Sequence, residues 1–313
     1  MRQKDQVKSS KLKVEKRQLK LAITIFIFGF VFCLPAAGFE GLNQSVGGRA
    51  IALGEAFVGE ASDMGAIYWN PSGLTQVKGQ NIIFMEQDVF GLGITYDYIG
   101  YSRNDKGEDA YGLSLARLDY SKSDLGYDWK EDAYTFFYAT QIDPQLSFAL
   151  SLKYLQMSTV SSRNGQGWGG DASLLYKVDE KLKVGFLARD VYTQVHYNSG
   201  MNETIQKHFT LGFSYRPDPV TLALLDLADL DSPGNSPWAA HLGVERWLDK
   251  EIAVRLGYIS SQGTKGGKFT AGVGLILGPW RIDYAYAPTK SNNKGLMGIE
   301  DSQKISVIMR LKR

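Results

Sequence analysis

Residues 268–287 alternate between large apolar side chains and small or charged ones, on both sides of a Gly278-Pro279 turn. A repeat of two residues is the spacing of a β-strand, so this stretch is predicted to form a hairpin. One face is large and apolar and contains Phe269, Ala271, Val273, Leu275, Leu277, Trp280, Ile282, Tyr284 and Tyr286. The other face contains Thr270, Gly272, Gly274, Arg281, Asp283 and Ala285. Glycine opposite leucine and tyrosine indicates a wall whose apolar side meets lipid and whose other side is crowded.

The same alternation continues through most of the chain after residue 80. It predicts fourteen strands, at 81–89, 91–103, 109–118, 130–141, 145–157, 167–178, 182–189, 206–216, 220–227, 237–247, 252–261, 268–277, 280–287 and 303–311. Tight turns alternate with longer polar connections, as they do in outer-membrane barrels. We therefore predict an all-β fold, a 14-stranded antiparallel transmembrane β-barrel over residues 81–313. The alternative is a soluble sandwich or a propeller, although no blade repeat is visible.

The first 38 residues have the order of a secretory signal peptide. A basic arm with eight Lys and Arg residues precedes an apolar run from Leu21 to about Leu34, and Pro35-Ala-Ala-Gly38 follows. Such a segment predicts export, and with the barrel it predicts a bacterial outer-membrane location. The alternative is a retained anchor, because residues 21–37 reach the lower length limit for spanning a bilayer.

Charge and cysteine content change once that segment is set aside. The whole chain has 35 basic and 33 acidic residues, a net charge of +2, whereas residues 39–313 have 27 and 31, a net charge of −4. The basic character therefore belongs to the predicted signal peptide and gives no indication of nucleic-acid binding. The single cysteine, Cys33, lies in the apolar run, so the exported chain would contain no thiol.

Residues 39–80 differ from the strands in being rich in small residues and helical spacing. Ala50, Leu53 and Phe57 lie at intervals that predict a short helix. A second helical turn is predicted after Asn70, which is a suitable N-cap, with Pro71 at the first helical position.

Two parts of this segment carry a resemblance to a known family. Gly48-Arg-Ala-Ile-Ala-Leu-Gly-Glu-Ala-Phe-Val58 and Ala66-Ile-Tyr-Trp-Asn-Pro-Ser-Gly-Leu74, together with His241-Leu-Gly-Val-Glu-Arg-Trp247, resemble the PorV/PorQ-like branch of the FadL-type outer-membrane proteins. The resemblance implies a fourteen-stranded barrel with residues 39–80 as a hatch, or plug, inside it. The hatch motif would comprise Arg49, Leu53, Phe57, Trp69, Asn70 and Pro71. Glu55 departs from the family, which commonly has a second glycine there.

The resemblance implies two functions of different classes. FadL-type proteins suggest passive transport of hydrophobic small molecules, and PorV suggests a non-transporting component that docks exported proteins in a secretion pathway. The expected partners are accordingly outer-membrane lipid, a hydrophobic ligand, or exported proteins and secretion components, and no nucleic acid. A transporter should have an apolar pocket between hatch and wall, and a lateral opening where strand pairing is interrupted. A docking protein should have long ordered outer loops and a lumen that is blocked at both ends.

Several charged residues are predicted to face the inside of the barrel by their alternation. They are Lys153, Arg189, Arg255, Arg281, Asp283 and Arg310. Unpaired charges in a crowded interior are costly, so we expect ion pairs among them and with the hatch, through Arg49 or Asn70. The pattern leaves open whether this network fixes the plug or lines a substrate path.

Enzymatic chemistry has weak support in the sequence. The three histidines lack metal-ligand spacing, and we predict no enzyme, no cofactor and no metal site. A lipase-like pair of Ser214 and His208 and a calcium site at Asp226, Asp229 and Asp231 are the alternatives. For the three aspartates, a solvated acidic loop is the simpler interpretation.

Overall fold

The computed structural model describes residues 44–89, 93–105, 107–121, 123, 128–159, 164–228, 239–261, 267–288 and 302–312. The predicted signal peptide at residues 1–38 and its alternative, a retained anchor, lie outside the described residues. Within the described ranges, no helix is long and apolar enough to cross a membrane.

The chain from residue 79 onward consists almost entirely of antiparallel strands. They are β1 Gly79–Val89, β2 Ile94–Asn104, β3 Asp109–Asp119, β4 Trp129–Asp143, β5 Leu146–Thr159, β6 Gly165–Lys177, β7 Leu182–Tyr197, β8 Asn202–Thr204, β9 His208–Asp218, β10 Thr221–Ala228, β11 Ala239–Trp247, β12 Ile252–Ser261, β13 Lys268–Leu277, β14 Trp280–Ala287 and β15 Ser302–Lys312. All except β8 form one ring, closed by the pairing of β1 with β15. The predicted 14-stranded antiparallel barrel is therefore confirmed.

One predicted connection was wrong. The sequence predicts strands at 182–189 and 206–216 with a polar connection at 190–205 between them, but β7 continues to Tyr197 and pairs there with β8. Asp190 has a positive φ of 54°, and the β6–β7 register shifts between Gly170 and Ala172. The irregularity changes the phase of the alternation, which is why the period of two ended at Arg189 in the sequence.

The two faces of the ring differ in the way the pattern predicted. The outer face exposes apolar residues such as Phe269, which is 73% exposed, and Leu256, which is 68% exposed. Their neighbours Thr270 and Arg255 are 3% and 2% exposed on the inner face. The orientation predicted for the 268–287 hairpin is confirmed.

Residues 44–78, here called the N-terminal segment, contain α1 Gly48–Ala52, α2 Ala66–Trp69 and a 3-10 helix at Pro71–Gln76. α1 packs against β12 to β15, and the 3-10 helix packs against β2 to β6. The Asn70 side chain accepts a hydrogen bond from the Ser72 amide at the start of the 3-10 helix, which confirms the predicted N-cap. The segment therefore contacts strands on opposite sides of the ring.

The first helix is shorter than the spacing of Ala50, Leu53 and Phe57 predicted. It ends at Ala52, because Gly54 and Glu55 both have positive φ, of 66° and 65°. The left-handed conformation cannot continue a right-handed helix. Leu53 and Phe57 are nevertheless fully buried.

Candidate functional site

A row of glycines on the inner face of the wall lets the N-terminal segment approach the strands at backbone distance. A Cβ at Gly257 would lie 2.0 Å from the Gly54 nitrogen, and one at Gly185 would lie 2.0 Å from the Val58 oxygen. Gly212 and Gly243 are in similar contact with the segment. Gly185 of β7 is paired with Gly212 of β9, and Gly243 of β11 is paired with Gly257 of β12. The glycines therefore lie opposite one another on neighbouring strands. No side chain other than hydrogen fits where the segment lies.

Glu245 is the centre of a buried ion-pair network between segment and wall. Arg49 of the segment donates two hydrogen bonds to its carboxylate, at 2.8 and 2.6 Å. Arg255 donates a third at 2.7 Å. The glutamate is fully buried, and the arginines are 5% and 2% exposed. This geometry joins α1 to β11 and β12.

The network continues to β14 and back to the segment. Asp283 lies 2.9 Å from both Arg255 and Arg281. Arg281 lies 3.5 Å from Asp63 of the segment, which also accepts a hydrogen bond from Arg49 at 3.1 Å. Three arginines are thus balanced by three carboxylates, as charges that are buried together require.

A second cluster surrounds Glu60 of the segment. Its carboxylate accepts hydrogen bonds from Ser214 at 2.7 Å, Arg216 at 3.0 Å and Lys183 at 3.2 Å. Burial alone would raise the pKa of Glu60, but Lys183, Arg49, Ser214 and Arg216 together lower it to about 2. Glu60 therefore carries its negative charge at neutral pH and ties the segment to β7 and β9.

Lys153 and Arg189 take part in a third group of contacts. Lys153 bridges Asp171 at 2.6 Å and Asp190 at 2.9 Å, where the β6–β7 ladder is irregular. Arg189 donates to the hydroxyl of Tyr68 at 2.8 Å and to its carbonyl at 3.1 Å. The guanidinium also lies 4.1 Å from the centre of the Tyr68 ring. The third group is separate from the network at Glu245.

The residues predicted for the hatch motif all lie in the contact between segment and wall or in the core of the segment. Arg49, Leu53, Phe57, Trp69, Asn70 and Pro71 are each buried. Asn70 donates to the carbonyl oxygens of Val58 and Leu174, at 2.8 and 3.0 Å. Trp69 donates to the Val46 carbonyl at 2.7 Å. Five of the predicted lumen residues form ion pairs or hydrogen bonds with buried side chains of the wall or with the segment: Lys153, Arg189, Arg255, Arg281 and Asp283.

Arg310 differs from the other predicted lumen residues. It is exposed near the end of β15, and it forms no ion pair with any described residue. With Lys78, Asn81 and Arg281 it lines a cavity of about 690 Å³ at the end of the barrel that contains the Gly278-Pro279 turn. It therefore stands outside the network that holds the segment.

Asp226 is not a residue of a solvated loop. It is 1% exposed, and its Oδ2 accepts hydrogen bonds from the amides of Phe57 and Val58, both at 2.8 Å. Asp229 and Asp231 lie outside the described residues. Ser214 and His208 are six residues apart on β9, which separates them by about 20 Å and prevents a catalytic pair.

Among the residues that the structure describes, two smaller cavities lie between the segment and the wall, and Tyr68 and Arg189 line both. The larger, of about 250 Å³, is mainly apolar and is bounded by Ser45, Glu55, Val58, Tyr68, Trp69, Leu187, Arg189, His208, Thr210, Asp226, Ala228 and His241. The smaller, of about 40 Å³, lies towards β2 to β6. His208 begins β9 and Ala228 ends β10, so the larger cavity is near the end of the barrel with the longer connections.

The fold is similar to those of several solved proteins, among them a toluene transporter and a FadL homologue. The toluene transporter TodX of P. putida matches with a TM-score of 0.57 at 14% identity, over 85% of this chain and 96% of that chain. A TodX monoaromatic hydrocarbon channel with a deltaS2 mutation matches with a TM-score of 0.57 at 12% identity, over 86% and 98%. A Pseudomonas aeruginosa FadL homologue matches with a TM-score of 0.53 at 11% identity, over 89% and 99%.

No protein-family model matches the chain, and no curated protein matches it either. At identities of 11–14% the structural likeness shows the fold alone. The 14-stranded barrel that the resemblance implied is thus confirmed as a fold, and membership of the FadL-type proteins and of their PorV/PorQ branch stays a prediction.

Several residues of the site were not among those predicted. Glu60, Asp63 and Glu245 supply the carboxylates for the arginines. Asp226 and His241, which line the larger cavity, were considered in the sequence only as metal ligands. Glu245 and His241 lie in the predicted strand at 237–247, and their odd numbers place both on one face of it. An inward carboxylate on the strand next to that of an inward arginine, Arg255, was the signal that could have found Glu245.

Proposed function

We propose that the chain is an outer-membrane β-barrel that admits small hydrophobic molecules passively, with the N-terminal segment acting as a hatch. The outer face supports a lipid environment, because large apolar side chains there are exposed on strand after strand. With the tight turns towards the periplasm, the larger cavity would open towards the cell exterior. The signal peptide and membership of the PorV/PorQ branch are parts of the same proposal.

The observation that carries the proposal is the mainly apolar cavity of about 250 Å³ between segment and wall. An apolar cavity of about 150 Å³ is large enough to hold benzene. The present cavity can therefore take a single aromatic ring or an aliphatic chain of similar volume. A pocket of this kind was expected of a transporter and not of a docking protein.

The strand pairing next to this cavity is interrupted, as a transport route through the wall would require. β7 pairs with β9 only as far as the Arg189–His208 position, and beyond it β7 pairs with β8. Leu187, Arg189 and His208 line the cavity at this place. Asp190, with its positive φ, follows directly. This interruption of the strand pairing supports the proposal that a ligand enters or leaves the cavity through the wall at this place.

The contact between Tyr68 and Arg189 is the candidate barrier within the barrel. Both residues line both cavities, so a molecule passing from one to the other must displace this pair. The pair combines two hydrogen bonds with ring stacking but no carboxylate. The Tyr68–Arg189 contact itself contains no ion pair, whereas the contacts of Glu245, Glu60 and Lys153 do.

The proposal can be tested by filling the cavity. Ala228→Trp places an indole ring in the cavity, whereas Ala223→Trp places it on the outer face of the same strand, β10. Uptake of labelled toluene would be measured in cells that produce each variant at equal levels in the outer membrane. We expect A228W to abolish the uptake due to the protein and A223W to retain it. Equal uptake by both variants, or no difference from cells lacking the protein, would overturn the proposal.

The second candidate function is a PorV-like component that docks exported proteins. The buried ion pairs of Glu245 favour it, because they join the segment to the wall, whereas a mobile hatch must separate from the wall. Mass spectrometry of the protein purified in mild detergent distinguishes the two. A bound lipid-like molecule supports transport, and an exported protein in stoichiometric amount supports docking.

A further inference from the structure

The outward apolar band of the barrel is shorter on β1 and β2 than on the opposite side of the ring. On β1 the outward apolar residues are Ile82 and Phe84, and on β2 they are Ile99 and Tyr101. Phe84 is 58% exposed and Ile99 is 38% exposed. On β9, at the opposite side of the ring, four outward positions in succession are apolar: Phe209, Leu211, Phe213 and Tyr215.

Polar side chains bound the short band at both of its ends. Towards the connection between β1 and β2, the next outward residues are Glu86 and Asp97, which are exposed and lie directly opposite each other in the ladder. Towards the turn between β2 and β3, the next outward residues are Gln80 and Arg103, which also lie opposite each other. The Arg103 guanidinium forms an exposed ion pair with Asp105 at 2.6 Å. The apolar part of both strands is therefore enclosed between two polar rows.

The two carboxylates set the limit of the hydrocarbon at their end. Within the part of the chain that the structure describes, neither Glu86 nor Asp97 forms an ion pair. Arg117 lies directly opposite Asp97 on β3, but its ion pair at 2.7 Å is with Asp132. Unpaired carboxylates are costly in hydrocarbon, and two like charges that face each other across a ladder repel. Both carboxylates therefore require contact with water or with polar headgroups.

The distance between the two polar rows is too small for a bilayer of ordinary thickness. The bounding positions are six residues apart on β1 and on β2, which is about 20 Å along the strand. Strands of membrane barrels tilt by about 35–45°, so this interval covers about 15 Å along the membrane normal, whereas the apolar band of such barrels is about 25 Å tall. On β9 the outward positions beyond the apolar four, Lys207 and Pro217, are ten residues apart, which gives about 25 Å along the normal.

We propose that the outer membrane is locally thinned where it contacts β1 and β2. Headgroups and water then reach the level of Glu86 and Asp97, while acyl chains still cover Phe84 and Ile99. A bilayer adapts to a short apolar stretch in this way at a modest cost for each ångström of mismatch. The inference depends on the membrane location that is part of the proposed function and does not depend on transport.

Spin labels at matched positions of β2 and β9 test the thinning. The exported chain would contain no cysteine, so Ile99→Cys and Leu211→Cys each provide a single site for a nitroxide. The collision rate of each label with a water-soluble nickel chelate would be measured by electron paramagnetic resonance, with the purified protein in lipid vesicles. We expect a rate at least several-fold higher at position 99, because its label would lie about 7 Å from the headgroups, against about 12 Å at position 211.

The outcomes separate this inference from the proposed membrane location. Equally low rates at both positions would overturn the thinning and leave the membrane location in place. Equally high rates would mean that both strands face water, which would overturn the membrane location as well. A high rate at position 99 in vesicles but a low rate in native outer-membrane fragments would overturn the lipid contact in favour of a protein that covers β1 and β2.

A second measurement assigns the thin contact to the two carboxylates. Glu86→Leu combined with Asp97→Leu extends each band to three outward apolar positions. For the unaltered protein, we expect the urea midpoint of unfolding to fall when the vesicles are changed from dilauroyl to dioleoyl phosphatidylcholine, which forms a thicker bilayer, and we expect a smaller fall in the double variant. Glu86→Gln combined with Asp97→Asn is the matched control, which keeps the side chains polar and should keep the full fall. Equal falls in all three proteins would overturn the assignment to Glu86 and Asp97.

Discussion

At the scale of single residues, Glu245 has the largest consequence, since its carboxylate is shared by two arginines from different elements. Glu245→Gln keeps the shape but removes the charge that balances Arg49 and Arg255 in the dry interior. Removing one partner of a buried ion pair costs about 3–5 kcal/mol. We expect a decrease of this order in the free energy of unfolding, measured by urea titration of the protein folded into lipid vesicles.

The matched control for this change is Glu251→Gln, in the exposed turn between β11 and β12. Surface substitutions of this kind usually change stability by less than about 0.5 kcal/mol. Similar losses of unfolding free energy in E245Q and E251Q would mean that the ion pairs of Glu245 do not hold the segment. The loss would then follow from removing a negative charge from either position.

Glu60 gives the segment a dependence on pH. Its pKa is lowered to about 2 when the segment is in place, against an ordinary value of 4.5. Because the folded state binds the proton less readily, the contribution of Glu60 is fully present above about pH 5 and is lost as pH falls towards 2. The shift corresponds to roughly 3 kcal/mol at neutral pH.

Comparison of the unaltered protein with Glu60→Gln measures this contribution. We expect E60Q to be less stable at pH 7 and the difference between the two proteins to shrink steadily between pH 5 and pH 2. Urea titrations at several pH values provide the measurement. A difference that stays constant over this range would show that Glu60 acts through its shape and not through its charge.

At the scale of elements, the glycine row determines how closely the segment lies against the wall. Gly257→Ala puts a methyl group 2.0 Å from the Gly54 nitrogen, a distance that only a shift of the segment can relieve. Displacement can be followed by alkylation of a cysteine placed at Val58, which is 1% exposed. We expect this cysteine to be protected in the parent protein and to react at least several-fold faster when G257A is added.

Gly170→Ala is the control for this experiment. It is also a strand glycine, but its added methyl group would meet only the Ser151 carbonyl oxygen of the neighbouring strand, at 3.1 Å. The cysteine at position 58 should stay protected in this variant. Protection in both glycine variants would mean that the wall, and not the segment, adjusts to the additional methyl group.

The elements also show which parts of the structure the sequence could predict. The period of two identified the strands, because each one separates an outer apolar face from an inner small or polar face. It failed at Asp190, where an irregular residue changes the phase. The helix at 48–57 was overestimated because the spacing of apolar residues carries no information on the left-handed conformation of Glu55.

The site was less predictable than the fold for a physical reason. The inward arginines were identifiable from alternation within their own strands. Their partners were not, because Glu245 meets Arg255 through the β11–β12 register and meets Arg49 through the position of the segment. Contacts of this kind depend on how distant parts of the chain are brought together, which no local pattern specifies.

At the scale of the whole molecule, the proposal requires the outer face of the ring to be in a bilayer. Leu256 and Leu248 test this requirement as a pair. They are 68% and 64% exposed, but Leu256 lies in the middle of β12 and Leu248 lies in the turn before it. In water the two side chains would be equivalent, and an arginine would be tolerated at either position.

In a membrane the two positions differ. Arginine at a lipid-facing site near the bilayer midplane costs about 2–4 kcal/mol, and near the interface the cost falls to about 0–1 kcal/mol. We therefore expect Leu256→Arg to lower the free energy of unfolding of the protein in lipid vesicles by the larger amount and Leu248→Arg to change it little, both measured by urea titration. Equal and small effects would mean that β12 faces water. The ring would then be a soluble barrel, and transport across an outer membrane would have to be abandoned together with the membrane location.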